Sequence, residues 1–184
     1  MKLKIFSLAG LLFLVANQVM LLGGDEYIQS QEPIDFAHWL LLVGALLCLS
    51  INYILSDNAF STLASILTSL GVVALIGQAT IDFIWWSYGD DHIGMTHLTS
   101  QIMGRPSIRI PFMTIGPALF YLGLATHAGK RIRKNPIWSL ATLIGVILTG
   151  LGSFAYHNRM LIVLGHIILT IGIIALLLKH TTKR

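Results

Sequence analysis

A chain of 184 residues that is 55% apolar and only 11% charged falls well short of a soluble domain, in which about a quarter of residues are charged. Its net charge of +4 and pI near 9.4 do not argue for a nucleic-acid partner, because the basic residues gather at the ends of apolar stretches, as a positive-inside distribution requires. The one cysteine, Cys48, excludes a disulfide framework, CxxC redox chemistry and a thiolate metal cluster, and its place inside an apolar stretch makes it a small packing residue.

Crossing a hydrocarbon core of about 30 Å takes roughly 20 mainly apolar residues. Six stretches meet that requirement: 4–23, 36–55, 62–86, 109–128, 136–156 and 159–179. Together with short loops they use the whole length, so the expected fold is all-α: a polytopic membrane protein with one transmembrane domain over 1–184, built as a six-transmembrane-helix bundle.

The first stretch follows Met-Lys-Leu-Lys, a start shared with signal peptides. Its apolar run from Ile5 to Leu22 exceeds a signal h-region and no small-x-small site follows cleanly, so it is read as a retained span. Lys2 and Lys4 precede it; Lys130, Arg131, Arg133 and Lys134 join the fourth and fifth stretches; Lys179, Lys183 and Arg184 close the chain. These nine of the twelve Lys and Arg fall on one side if the spans alternate. The other side receives Asp25, Glu26, Glu32, Asp35, Asp90 and Asp91, six of the eight acidic residues, with Arg105, Arg109 and Arg159. The orientation is therefore N-in/C-in, in the cell inner (plasma) membrane with the lipid bilayer as surroundings.

The longest connection, 87–108, is expected outside. Ile93, Met95, Leu98 and Ile102 approximate helical spacing, with Thr96, His97, Ser100 and Gln101 supplying polarity. Two readings stand: an amphipathic helix on the outer membrane surface, or an irregular loop touching lipid, ended by Gly104 and Pro106. Trp85 and Trp86 just before it read as an interfacial anchor. Lipid gives no hydrophobic drive between helices, so small residues at regular spacing mark contact faces. The fifth stretch shows this best, with Ser139, Thr142, Gly145, Thr149 and Gly152; Gly165, Gly172, Ser7 and Gly10 add to it. In the fourth stretch Pro111 falls in the first turn, where a missing N–H is harmless, while Pro117 lies deeper and is expected to kink the helix or free a carbonyl.

Polar residues inside the spans are the functional signal. Asp82 lies about one turn, roughly 6 Å, below the outer boundary, where an isolated carboxylate costs about 2 to 3 kcal/mol and needs water or a partner, such as an arginine. Gln78, four residues earlier, shares its helix face. His166 is about two turns into the last span, with Thr170 deeper and Arg159 above it. His38, Ala45, Cys48 and Asn52 share a face of the second span, and Asn17 and Gln18 occupy the outer half of the first. Asp82, His166, His38, Gln78 and Gln18 thus come to similar depths and form the expected proton- or substrate-binding set. Asp82 beside His166 would be a pH-responsive pair.

Three chemistries compete with that reading. A metal site could draw on His38, Asp82 and His166 with His157, His92 or His97, and Asp91 or Asp82 as base, but no HExxH or HxxxH spacing occurs. Bis-histidine haem needs ligands at equal depth, and His38 and His166 differ by roughly two turns. His127, at the inner end, has no intramembrane partner there, and no Ser–His or Cys–His motif marks a nucleophile. The expected function is small-solute or proton-linked transport or binding, with no cofactor assignable and no residue set that demands an enzyme. The alternatives are a non-catalytic accessory, assembly or immunity subunit with a membrane-protein partner and, third, a membrane-embedded metal-dependent enzyme. Against through-transport, the inner half offers only Asn52, Ser50, Thr68 and Ser69.

Overall fold

The computed structural model of the chain describes residues 2–56 and 58–180. Met1, Asp57 and 181–184 lie outside the described residues, and with them Lys183 and Arg184 of the terminal basic cluster. The described residues are helical throughout their ordered elements, with no strand. Six helical runs are long and apolar enough to cross a membrane: Lys2–Gln29, Phe36–Leu55, Ala59–Trp86, Pro106–Lys130, Pro136–Ala155 and Arg159–Lys179.

The first run is α1 (Lys2–Met20) continued by a 3-10 turn and the short α2 (Gly24–Gln29), so it reaches past the expected end at residue 23. The second is α3 (Phe36–Cys48) and α4 (Ser50–Leu55), and the third is α5 (Ala59–Trp86). Connection 87–108 holds α6 (His92–Met103) and a single turn, α7 (Pro106–Ile108). The helical alternative for that connection is therefore the observed one. The remaining runs are α8 (Ile115–Lys130), α9 (Pro136–Gly150) and α10 (Arg159–Lys179).

Side-chain caps explain several starts. Asn58 and Ser61 form a reciprocal capping box at α5, which begins three residues before the apolar pattern alone suggested. Asp35, Asp91 and Asn158 each accept a backbone N–H of the helix they open, and Pro106 and Pro136 occupy first-turn positions.

Pro111 departs from the expectation. Helical backbone already begins at Pro106, so Pro111 is not in the first turn but inside a π-helical stretch, Arg109–Thr114. There Ile115 N–H reaches back to Ile110 O, a five-residue step that resets the ladder immediately before Pro117. The missing N–H of Pro117 thus falls where the regular ladder is already interrupted. A second π-helical stretch, Leu151–Ala155, ends α9, with Tyr156 N–H donating to Leu151 O at 2.9 Å.

Consecutive spans are neighbours all the way around, and α10 returns to α1, so the helices form a closed ring. The three most extensive contacts are α1 with α3, α5 with α8, and α9 with α10, each an antiparallel pair. Ser7 Oγ lies 2.6 Å from Ser50 Oγ at one end of the first pair, while Asn17 Nδ2 donates to Ala37 O at 2.9 Å near the other. Small residues permit these approaches. A Cβ on Gly123 would overlap Thr68 Oγ1, and one on Gly172 would overlap Thr142 Oγ1. The stripe Ser139, Thr142, Gly145, Thr149 and Gly152 is buried, much of it against α10, as its spacing suggested.

One end of the ring carries the termini with Lys4, Lys130, Arg131, Arg133, Lys134 and Lys179. The opposite end carries Asp25, Glu26, Glu32, Asp35, Asp90 and Asp91. The apolar core fills the half nearer the termini: Ile51, Leu55, Phe120, Leu124, Ile173 and Leu177 are fully covered.

Candidate functional site

The acidic half of the ring is hollow. A cavity of about 470 Å³ is bounded by α1, α3, α5, α8, α9 and α10. All five side chains expected from the sequence border it: Gln18 from α1, His38 from α3, Gln78 and Asp82 from α5, and His166 from α10. Asn17, Tyr121, Thr149, Ser153 and Arg159 add polar groups, and Leu41 and Leu75 add apolar wall.

Asp82 is 8% exposed, and its one partner among the described residues is His38, whose Nε2 lies 3.6 Å from Asp82 Oδ2. That is too long for a hydrogen bond, so the carboxylate keeps its acceptor sites for the cavity. The opposite nitrogen of His38, Nδ1, lies 2.5 Å from Asp35 Oδ2. Asp35 is placed by its capping role, since its other oxygen accepts His38 N–H at 3.1 Å. The order Asp35, His38, Asp82 is a carboxylate–imidazole–carboxylate line that starts in the loop before α3 and ends at the cavity. Because a carboxylate only accepts, Nδ1 of His38 donates to Asp35, and Nε2 is the nitrogen turned toward Asp82.

His166 belongs to a separate pair. Its Nδ1 donates to Ile162 O at 2.9 Å, since a carbonyl only accepts, which leaves Nε2 of the neutral ring to accept from the Tyr121 hydroxyl at 2.8 Å. The expected pairing of Asp82 with His166 does not form. The ring order sets α3, not α10, beside α5, so the histidine that reaches Asp82 is His38. Nor does an arginine serve Asp82. Arg159 donates to Leu21 O at 3.0 Å and to Asp25 Oδ1 at 3.4 Å, at the rim. Gln18 Nε2 donates to Asn17 Oδ1 at 2.8 Å, and Gln78 makes no hydrogen bond among the described residues.

Two groups were not foreseen as site residues. Tyr121 lies four residues after Pro117, one turn along the same face, and a proline-interrupted span bordering a cavity was the available signal. Asp35 was read as a loop acid, although Asp three residues before the first polar side chain of a helix is a capping pattern. Both π-helical stretches also border the cavity, through Met113 and through Ser153 and Phe154. Such widened turns recur at functional positions because they redirect side chains and leave carbonyls underused.

The other histidines lie elsewhere. His92 and His97 are exposed on α6, His157 is exposed in the turn before α10, and Asp91 caps α6. Among the described residues no three His, Cys, Asp or Glu side chains converge in a set that could hold a metal ion. Trp85 and Trp86 keep their indole N–H groups covered and without a partner, rather than presenting them outward as an anchor would. His127 is fully buried, and its Nε2 donates to Asn52 Oδ1 at 3.2 Å.

The chain matches no protein family, no curated protein and no solved structure.

Proposed function

We propose that this chain is a multi-pass protein of the plasma (inner) membrane, with both termini in the cytoplasm, that binds a small solute or a proton in an extracytoplasmic cavity for transport or capture. The observation that carries this is the gathering of Gln18, His38, Gln78, Asp82 and His166, from four different helices, around one cavity in the acidic half. Orientation follows from the basic residues around the termini and the acidic residues at the other end.

In this reading Asp82 is the ionisable core, His38 exchanges a proton with it, and Asp35 fixes the tautomer and ring position of His38. Gln18 and Gln78 supply neutral hydrogen bonds, while Tyr121 and His166 form a fixed polar wall. A carboxylate kept under-bonded in a dry bundle is costly, and that cost is sensible where a ligand or proton completes the shell.

The charged and titratable groups around the site are Asp35, His38, Asp82, Tyr121, Arg159 and His166. The test is purified protein in weakly buffered detergent solution, challenged with a panel of amines, amino acids, sugars and inorganic cations. Thermal shift and proton release are read together. At least one solute is expected to raise the melting temperature and displace protons, and Asp82→Asn is expected to abolish the proton signal while the protein stays monodisperse. Proton release unchanged in Asp82→Asn, or no response to any solute, would overturn the reading.

A further inference from the structure

The cavity wall is asymmetric. Asn17, Gln18, His38, Gln78 and Asp82 come from α1, α3 and α5, whereas α8, α9 and the two π-helical stretches bring a mainly apolar wall, Met113, Pro117, Ala118, Leu122, Val146 and Phe154, interrupted by Tyr121, Thr149 and Ser153. Leu122 and Phe154 border the cavity and are also 51% and 57% exposed on the outer surface of the ring. A residue that both lines a cavity and faces outward marks a mouth. This mouth lies between α8 and the π-helical end of α9, where Gly150 would meet nothing if given a Cβ. Leu122 is about 12 Å along α8 from Lys130, a depth inside the hydrocarbon layer of a membrane. The opening therefore faces lipid tails as well as the acidic surface.

The charge at the polar side has one sign. Asp35 and Asp82 contribute two carboxyl groups against the single imidazole of His38, so acidic groups outnumber basic ones along the line. Arg159 is held by Asp25 at the rim and does not neutralise it.

Resting on the solute-binding reading above, we infer that the ligand is an amphipathic organic cation that enters sideways from the bilayer between α8 and α9. Its positive centre lies against Asp82, with Gln78 and Gln18 beside it, and its apolar body lies along Pro117, Leu122, Val146 and Phe154. Dehydration of a diffuse cation costs little, and the apolar wall supplies contact that a small hydrated ion could not use. The aromatic ring of Tyr121 adds a face suited to a cation.

The test uses the full chain in lipid nanodiscs and three probes in equilibrium dialysis. Radiolabelled tetraphenylphosphonium is expected to bind saturably. Tetraphenylborate, of the same shape and opposite charge, is expected not to bind, and tetramethylammonium to compete at least about tenfold more weakly. Leu122→Trp, a lipid-facing change that should not disturb folding, is expected to weaken tetraphenylphosphonium about tenfold and leave tetramethylammonium unchanged. Equal binding of the two cations with no effect of Leu122→Trp would overturn the amphipathic seat, and with it the ground for a lateral route, while leaving the small-solute reading intact. Preference for tetraphenylborate would overturn the charge assignment. Loss of all ion binding alongside a retained response to neutral solutes would sink this inference and not the earlier one. The wild-type comparison of opposite ions decides the charge question even if Asp82→Asn fails to fold.

Discussion

In the half of the ring that carries the termini, Asn52 uses its whole amide: Nδ2 donates to Ser65 O at 3.2 Å and to Ser69 Oγ at 3.1 Å, and Oδ1 accepts from His127. Beside it Arg131 donates to His127 O and Leu55 O, at 3.3 and 3.0 Å, tying α8 to the end of α4. In the acidic half, among the described residues, Gln78 makes no hydrogen bond and Asp82 has one neighbour, beyond hydrogen-bonding distance. Both halves bury polar side chains, but in one Asn52, His127 and Arg131 bond from helix to helix, while in the other Gln78 and Asp82 stay open on the cavity. Saturated groups hold helices together. Open groups cost stability and are available to a ligand. The two halves therefore differ in kind, although their composition is similar.

Glycine substitution tests the difference most severely. Gly123 faces the backbone and side chain of Thr68 and the carbonyl of Ala64, so any side chain there forces α5 and α8 apart. Gly123→Leu is expected to abolish a monodisperse peak on size exclusion, because overpacking a helix contact costs about 1 to 3 kcal/mol even where neighbours can shift, and backbone cannot. Gly150 borders the cavity and meets nothing. Gly150→Leu is expected to leave the melting temperature nearly unchanged and to reduce ligand binding. If Gly150→Leu proves as disruptive as Gly123→Leu, the hollow half is not hollow, and if both variants fold equally well, the packed half is not packed.

Much of this arrangement was legible in the chain. Apolar runs of membrane length located every span, and a fixed rise per residue set the depths of Gln18, His38, Gln78, Asp82 and His166. Depth is a one-dimensional quantity, however, and it cannot say which helix stands next to which. That is why Asp82 was assigned to His166 when α3, adjacent to α5, brings His38 instead. His127 shows the same limit: its place near the basic end of its span gives no hint of what covers it, and it is fully buried with Asn52 of α4 accepting from it. The π-helical stretches leave no compositional trace beyond Pro111, Gly116 and Pro117, since a widened turn depends on where one hydrogen bond skips a residue.

A gentler pair of substitutions sharpens the contrast. His127→Leu removes the donor to Asn52 and strands a buried amide oxygen, a loss worth about 1 to 3 kcal/mol in soluble proteins and nearer 0.6 kcal/mol on average between membrane helices. Thermal unfolding in detergent should show a drop of a few degrees, partly restored by adding Asn52→Leu, since the double variant removes the stranded amide oxygen and loses only the Asn52 contact of Ser69 Oγ beside it. Gln78→Leu breaks no bond and removes a polar group from a dry wall, so its melting temperature should match or exceed that of the wild type. A drop in Gln78→Leu as large as that in His127→Leu would mean that the acidic half is held together by its polar groups after all.

The smallest expected effect lies at the terminal end itself. His180 stands just beyond α10, its carbonyl accepting from Lys4 Nζ at 3.0 Å. Partial burial, and then the nearby Arg131, Lys4, Lys130 and Lys134, lower its pKa from the usual 6.5. A histidine whose pKa is depressed by folding is neutral in the folded chain over a range where the unfolded chain is already protonated. Its contribution is therefore fully present above 6.5 and is lost as the pH falls toward the folded value. Acidification should lower the melting temperature of the wild type slightly more than that of His180→Gln. The difference should shrink in high salt, because part of its cause is repulsion from Lys134 and the partly exposed Lys4 and Lys130, which salt screens more than it screens buried Arg131. Binding at the cavity predicts the opposite sensitivity, since Asp82 is buried and held away from bulk ions. A His180→Gln difference that ignores salt would place its cause in burial alone and remove the basic ring from the account of that end.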